Sequence, residues 1–133
     1  MSTRFDSVGL VVSDMRAAVA FYRRLGMVFP DGAEEQPHVE AKLGGGARLL
    51  LDTEETVRSF HPGWRAPRDG GGRASLVMRC DTPGEVDAVY EGLVADGYHG
   101  ELKPWDAFWG QRYAVVLDPD GNAVDLFAPL GPV

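Results

Sequence analysis

The spacing of apolar positions changes repeatedly along the chain, and each change marks an element. Val8–Val12 is a short apolar run that reads as a strand. Behind it Met15, Ala18, Val19, Tyr22 and Leu25 recur at helical spacing. Ser13 stands where an N-cap would, and Gly26 is placed to end the helix. A short strand is expected around Met27–Phe29, then a polar loop over Pro30–Pro37. Two further strands, His38–Leu43 and Ala47–Asp52, flank Gly44-Gly45-Gly46 and read as a hairpin with a glycine turn. The second half repeats the order. Ala74–Cys80 is a strand; Thr82-Pro83-Gly84-Glu85 is a capping box with proline at the first helical position. Val86, Val89, Tyr90, Leu93 and Val94 form the apolar stripe, and Gly97 closes it. A short strand near Tyr98–Glu101 and a loop precede a hairpin of Tyr113–Leu117 and Ala123–Phe127 around Asp118-Pro119-Asp120-Gly121-Asn122.

The predicted fold is therefore α+β, built from two β-α-β-β-β modules in one domain over residues 1–133. Module one covers about 4–53, a Gly-, Pro- and Arg-rich connector about 54–73 with a short helix over Glu54–Phe60, and module two about 74–129. One helix per module covers one face of its sheet and leaves the other free, so curved mixed sheets around a cavity with helices outside are expected. Strand alternation assigns the free faces. Ser7, Gly9 and Val11 share one, with Arg48, Leu50 and Asp52, and with His38, Glu40 and Lys42. In module two Ser75, Val77 and Arg79 join Asp125 and Phe127, while Cys80 falls on the helix side and is expected to be buried and inert.

Composition narrows the partners. A net charge of −7 argues against nucleic acid, whose phosphates need clustered Lys and Arg. No apolar run approaches a membrane span, and the N-terminus has no signal-peptide pattern, so a cytoplasmic location is the default expectation. The single cysteine allows no internal disulfide. GxSxG, P-loop, CxxC and HExxH signatures are absent. Gly44-Gly45-Gly46 and Gly70-Gly71-Gly72 read as turns, not phosphate cradles, since neither leads into a capped helix.

The paired modules, the segment SDMRAAVAFYRRLGMVF and the segment WGQRYAVVLDPDGNAVDLFAP together resemble the vicinal oxygen chelate superfamily, which includes glyoxalases, extradiol dioxygenases, fosfomycin-modifying enzymes and bleomycin resistance proteins. The resemblance implies four metal-ligand positions, two of them histidines in the enzymes. Here those positions carry Ser7, Asp52, Ser75 and Asp125. Without imidazole or thiolate they do not suggest a transition-metal site, leaving at most a weak oxygen-ligand site for Mg²⁺ or Mn²⁺ at Asp52 and Asp125. No cofactor is expected. The stretches PHVEAKLGGGARLLLDTEETVRSFHPGW and DGYHGELKPWDAFWGQRYAVVLDPDGNAVDLFAPL are most similar to the metal-free, antibiotic-sequestering branch, in particular the mitomycin-resistance binding proteins of actinomycetes. That branch implies a homodimer with the ligand site at the subunit interface, and a small-molecule antibiotic such as a bleomycin, a mitomycin or an anthraquinone-fused enediyne as partner.

A planar conjugated ligand needs flat aromatic platforms and a few orienting polar groups. Candidate platforms are Trp105, Phe108, Trp109, Tyr113 and Phe127, with Phe60 and Trp64 in the connector, where Trp64 reads equally as a loop anchor. His38 suits stacking on, or hydrogen bonding to, a quinone. Glu40, Asp52 and Asp125 suit amine or carbamate groups, or else pair with Arg48 or Arg79. Arg112 reads as a ligand contact or a loop tie. The expected function is sequestration of a planar quinone-type drug without catalysis. The alternatives are a metal-dependent glyoxalase-, thiol transferase- or dioxygenase-type enzyme, and a biosynthetic protein acting on a bound intermediate.

Overall fold

A computed structural model describes residues 3–67 and 73–131. The chain divides into two compact units between Ala66 and Pro67. The architecture is α+β, with one mixed sheet in each unit.

The first unit holds β1 (Ser7–Val12), α1 (Met15–Arg24), β2 (His38–Lys42), β3 (Arg48–Thr53) and α2 (Glu54–Phe60). Its sheet has the order β1-β3-β2, with β1 parallel and β2 antiparallel to β3. Met15, Ala18, Val19 and Tyr22 of α1 are buried, as are Val39, Ala41, Leu49 and Leu51 of the sheet. The helix starts one residue later than the sequence suggests. Asp14, not Ser13, is the N-cap: its side chain accepts the amide of Ala17. A carboxylate there also meets the positive end of the helix dipole. The strand expected around Met27–Phe29 does not form. Gly26 adopts φ 89° and the Met27 amide turns back to the Tyr22 carbonyl at 3.1 Å, so its donor serves the helix C-terminus. The chain then runs into a 3-10 turn at Ala33–Glu35.

The second unit holds β4 (Ser75–Arg79), α3 (Pro83–Ala95), β5 (Gly100–Ala107), β6 (Gln111–Leu117) and β7 (Ala123–Pro129), in the sheet order β4-β7-β6-β5. Val86, Tyr90 and Leu93 of α3 are buried, with Ala114, Val116, Val124, Leu126 and Ala128 on the facing strands. The Thr82 side chain accepts the Glu85 amide, while Glu85 reaches back to the Asp81 amide. The strand expected near Tyr98–Glu101 is the start of β5, which runs on through the stretch read as a loop. Lys103 and Pro104 fall in a register shift against β6 between Leu102 and Trp105, and a second shift lies between Gly100 and Leu102. Proline is tolerated because β5 is an edge strand. Gly100 is required where it is, since a Cβ would clash with the Tyr90 ring and hydroxyl. Cys80 is only half-buried, contrary to expectation: it lies just past the end of β4, where the strand no longer shelters it. Burial pushes its thiol up, with smaller contributions from Glu85 and Asp81. The turn expected at Gly70-Gly71-Gly72 lies outside the described residues.

Candidate functional site

In the second unit α3 covers one face of the sheet and cross-strand pairing sets the composition of the other. Trp105 on β5 pairs with Tyr113 on β6, Tyr113 with Phe127 on β7, and Phe127 with Arg79 on β4. Paired residues share a face, so three aromatic side chains and a guanidinium form one row across the sheet. The Arg79 guanidinium carbon lies 5.9 Å from the Phe127 ring centroid. The next row is Val115, Asp125 and Val77.

Trp109, on the β5–β6 turn, gathers the aromatics. It makes edge-to-face contacts with Trp105 (centroids 5.6 Å apart), Phe108 (4.9 Å) and Tyr113 (5.3 Å). Its indole N–H donates to the Gln111 side-chain oxygen at 2.8 Å, which fixes the ring. Gly110 adopts φ 94°, a turn conformation that a Cβ would strain. Trp109 is 48% exposed and Phe108 91% exposed, although both make edge-to-face ring contacts. The Tyr113 hydroxyl donates to Asp125 Oδ2. Burial first, then the Asp125 carboxylate, pushes the Tyr113 phenol up to about 12, so it stays a neutral donor.

The turn that presents Asp125 is tied by Asp118, a buried carboxylate. It accepts the amides of Asp120 (2.9 Å) and Asn122 (2.8 Å) and the Asn122 side-chain amide (2.9 Å). Sequence reasoning located this turn but not the role of Asp118. The signal was present in DPDGN, where an Asp can bond backbone amides two and four residues on.

The first unit carries a different free face. His38 lies between two carboxylates, with Nδ1 at 2.6 Å from Asp52 Oδ1 and Nε2 at 2.9 Å from Glu40 Oε2. Arg48 continues the chain, donating to Glu40 Oε1 and to Asp6 Oδ2, each at 2.6 Å. The hydrogen bonds to Glu40 and then Asp52 raise the His38 pKa above its ordinary value, since only the imidazolium can donate to both. Glu40 and Asp6 are lowered, chiefly through His38 and Arg48 respectively.

The remaining candidates sit apart from these faces. Phe60 is exposed at the end of α2, and Trp64 lies under Arg58, whose guanidinium carbon is 5.2 Å from its ring centroid. Both belong to the first unit. Arg112 points to the helix side of its sheet, donating to Asp87 of α3 at 2.9 and 3.1 Å and to Asp106 at 3.0 Å. It borders a hollow of about 350 Å³ with Asp87, Tyr90 and Lys103. A larger, acid-rich hollow of about 570 Å³ in the first unit, lined by Glu34, Glu35, Glu54 and Glu55, contains none of the expected site residues.

The positions implied for a metal do not fit one. Ser7 and Ser75 offer only hydroxyls. Asp52 is engaged with His38, and Asp125 with Tyr113. His38 itself has both ring nitrogens committed to carboxylates. Among the described residues no group of three or more His, Cys, Asp or Glu is arranged to hold a metal ion. Among them, too, no helix is long and apolar enough to cross a membrane.

Residues 4–126 match the family model described as the Glyoxalase/Bleomycin resistance protein/Dioxygenase superfamily. No curated protein matches the sequence. Among solved structures, a glyoxalase/bleomycin resistance protein/dioxygenase from Nocardioides is 24% identical with a TM-score of 0.74, over 100% of this chain and 87% of that one. A lactoylglutathione lyase from Agrobacterium tumefaciens is 24% identical with a TM-score of 0.66, over 95% and 93%. A hypothetical protein from S. aureus is 18% identical with a TM-score of 0.77, over 96% and 94%. At these identities the likeness is one of fold.

Proposed function

The chain belongs to the glyoxalase/bleomycin resistance protein/dioxygenase superfamily, and on that premise we propose that it binds and sequesters a planar, quinone-type cytotoxic natural product, such as a mitomycin or an anthraquinone-fused enediyne. The observation that carries this reading is the aromatic cluster of Trp105, Phe108, Trp109 and Tyr113, which leaves half of Trp109 open to solvent. A folded domain normally buries such rings. A contiguous group of them on a free sheet face suits a flat apolar partner.

The mechanism is stoichiometric. A conjugated ring laid on the open face of Trp109 loses contact with water and with soluble reductants, and no bond of the ligand is made or broken. Asp125, held by Tyr113, keeps a second carboxylate oxygen for a donor on the ligand. In the first unit the carboxylates of the Glu40–His38–Asp52 bridge offer acceptor oxygens suited to an amine. The reading includes a homodimer in which a second copy supplies the opposite wall of the ligand site.

Gel filtration of protein mixed with a coloured quinone tests it. The ligand should co-elute with protein at one per chain, and sedimentation should give a dimer. A ligand that never co-elutes contradicts the reading, and a new product in the eluate favours an enzyme of the same superfamily.

A further inference from the structure

The aromatic row of the second unit ends in a cation that the fold does not use. Three arginines lie on strands: Arg48, Arg79 and Arg112. Arg48 bonds two carboxylates, Glu40 and Asp6. Arg112 bonds two, Asp87 and Asp106. Among the described residues Arg79 reaches no carboxylate within 4.0 Å, and its one contact of note is the Phe127 ring. This occurs in a chain with 20 acidic and 13 basic residues. It occurs, moreover, with a carboxylate close by. Asp125 stands on the neighbouring strand, one pair back, but it is engaged with the Tyr113 hydroxyl. The guanidinium is thus exposed at the strand end with its donors free. Trp105, Tyr113 and Phe127 span two interstrand spacings, roughly 10 Å, the reach of a polycycle rather than of a single ring. Arg79 lies one spacing further along the same line.

We propose that Arg79 is a specificity-determining residue that selects flat polycyclic ligands bearing a delocalised oxyanion, such as a carboxylate or an ionised hydroxyquinone, at the end that lies over β4. This rests on the function proposed above and narrows it from planar quinones to acidic ones. The chemistry suits arginine: its planar fork matches a carboxylate or a vicinal oxygen pair, and its weak hydration permits stacking beside an aromatic ring. The overall negative charge works the other way. A net charge of −7 disfavours anions in general, so any preference for the acid must come from a local cation.

The test compares anthraquinone-2-carboxylate with the neutral anthraquinone-2-carboxamide at pH 7.5, by calorimetry on the full chain. Wild-type protein should bind the acid at least tenfold more tightly, with the preference shrinking as salt rises. Arg79→Gln should abolish that preference by weakening the acid far more than the amide, with the melting temperature unchanged. Arg79→Lys, which keeps the charge but not the fork, should fall between. Equal binding of acid and amide by wild type, or a preference that survives in Arg79→Gln, overturns the role of Arg79 and leaves sequestration standing. Binding of neither probe overturns both.

Discussion

Removing the Trp109 ring is the sharpest perturbation available. The side chain is 48% exposed, so about half of an indole that can bury roughly 250 Å² already packs against Trp105, Phe108 and Tyr113. The open half, roughly 120 Å², is what a stacked ligand would cover. At about 25 cal/mol per Å² that area sets a ceiling of about 3 kcal/mol for its share of binding. Imperfect overlap lowers the expectation for Trp109→Ala to about 1–3 kcal/mol, a loss of about 5- to 150-fold in affinity. Trp109→Phe keeps a ring and should recover part of it. Calorimetry is the assay, because the substitution removes a fluorophore that would otherwise report binding. The buried half adds a cost in stability of similar size, so the variant must be shown folded by its near-ultraviolet spectrum first. A folded Trp109→Ala protein with wild-type affinity would refute the placement of the ligand on this ring.

Three further outcomes are expected. His38 has a folded pKa above its ordinary 6.5, so its bridge stabilises fully below that value and is lost as pH rises through the folded one. Wild-type stability to urea should therefore fall as pH rises above 6.5, and His38→Gln should flatten that fall; a flat wild-type profile would contradict the bridge. Asp118→Ala should cost about 2–4 kcal/mol in the same assay, because it strands two backbone amides and a side-chain amide at a buried turn. An effect below 0.5 kcal/mol, the ordinary range for a surface change, would deny the turn its tie. Spectrophotometric titration should show one tyrosine ionising near pH 12, and in Asp125→Asn that step should move down while staying above the ordinary 10.0, since burial is the larger cause. No movement would mean that the hydroxyl does not lean on Asp125.

Regular elements were legible in the sequence where period and punctuation agreed. The α3 helix with Val86, Tyr90 and Leu93 buried, its capping residues Thr82 and Glu85, and the hairpin around DPDGN appear as expected, because each is specified within a few residues; Val94, at the edge of the predicted stripe, is exposed instead. Legibility failed where distant backbone decided the outcome. Met27 looked like a strand residue, yet its amide closes the helix before it. Pro104 looked like a loop residue, yet the edge position of β5 leaves room for it. The same division runs through the candidate site. Strand alternation correctly put Asp125, Phe127 and Arg79 on one face. It did not show which carboxylate each arginine would find. Arg112 and Arg48 differ from Arg79 only in what the neighbouring strands and α3 bring within reach, and that is a property of register and packing. Gln111 was missed for the same reason, since a hydrogen bond to the Trp109 indole leaves no mark in spacing.

The central claim is capture without chemistry, and one experiment addresses it directly. Protein dialysed against EDTA is titrated calorimetrically with mitomycin C, a bleomycin and an anthraquinone-fused enediyne, and the ligand is then released by denaturation and chromatographed. Sequestration predicts saturation at one ligand per chain for at least one of them, without added metal, and recovery of that ligand unchanged. Recovery of a new product, or binding that appears only when a divalent metal is restored, would contradict it.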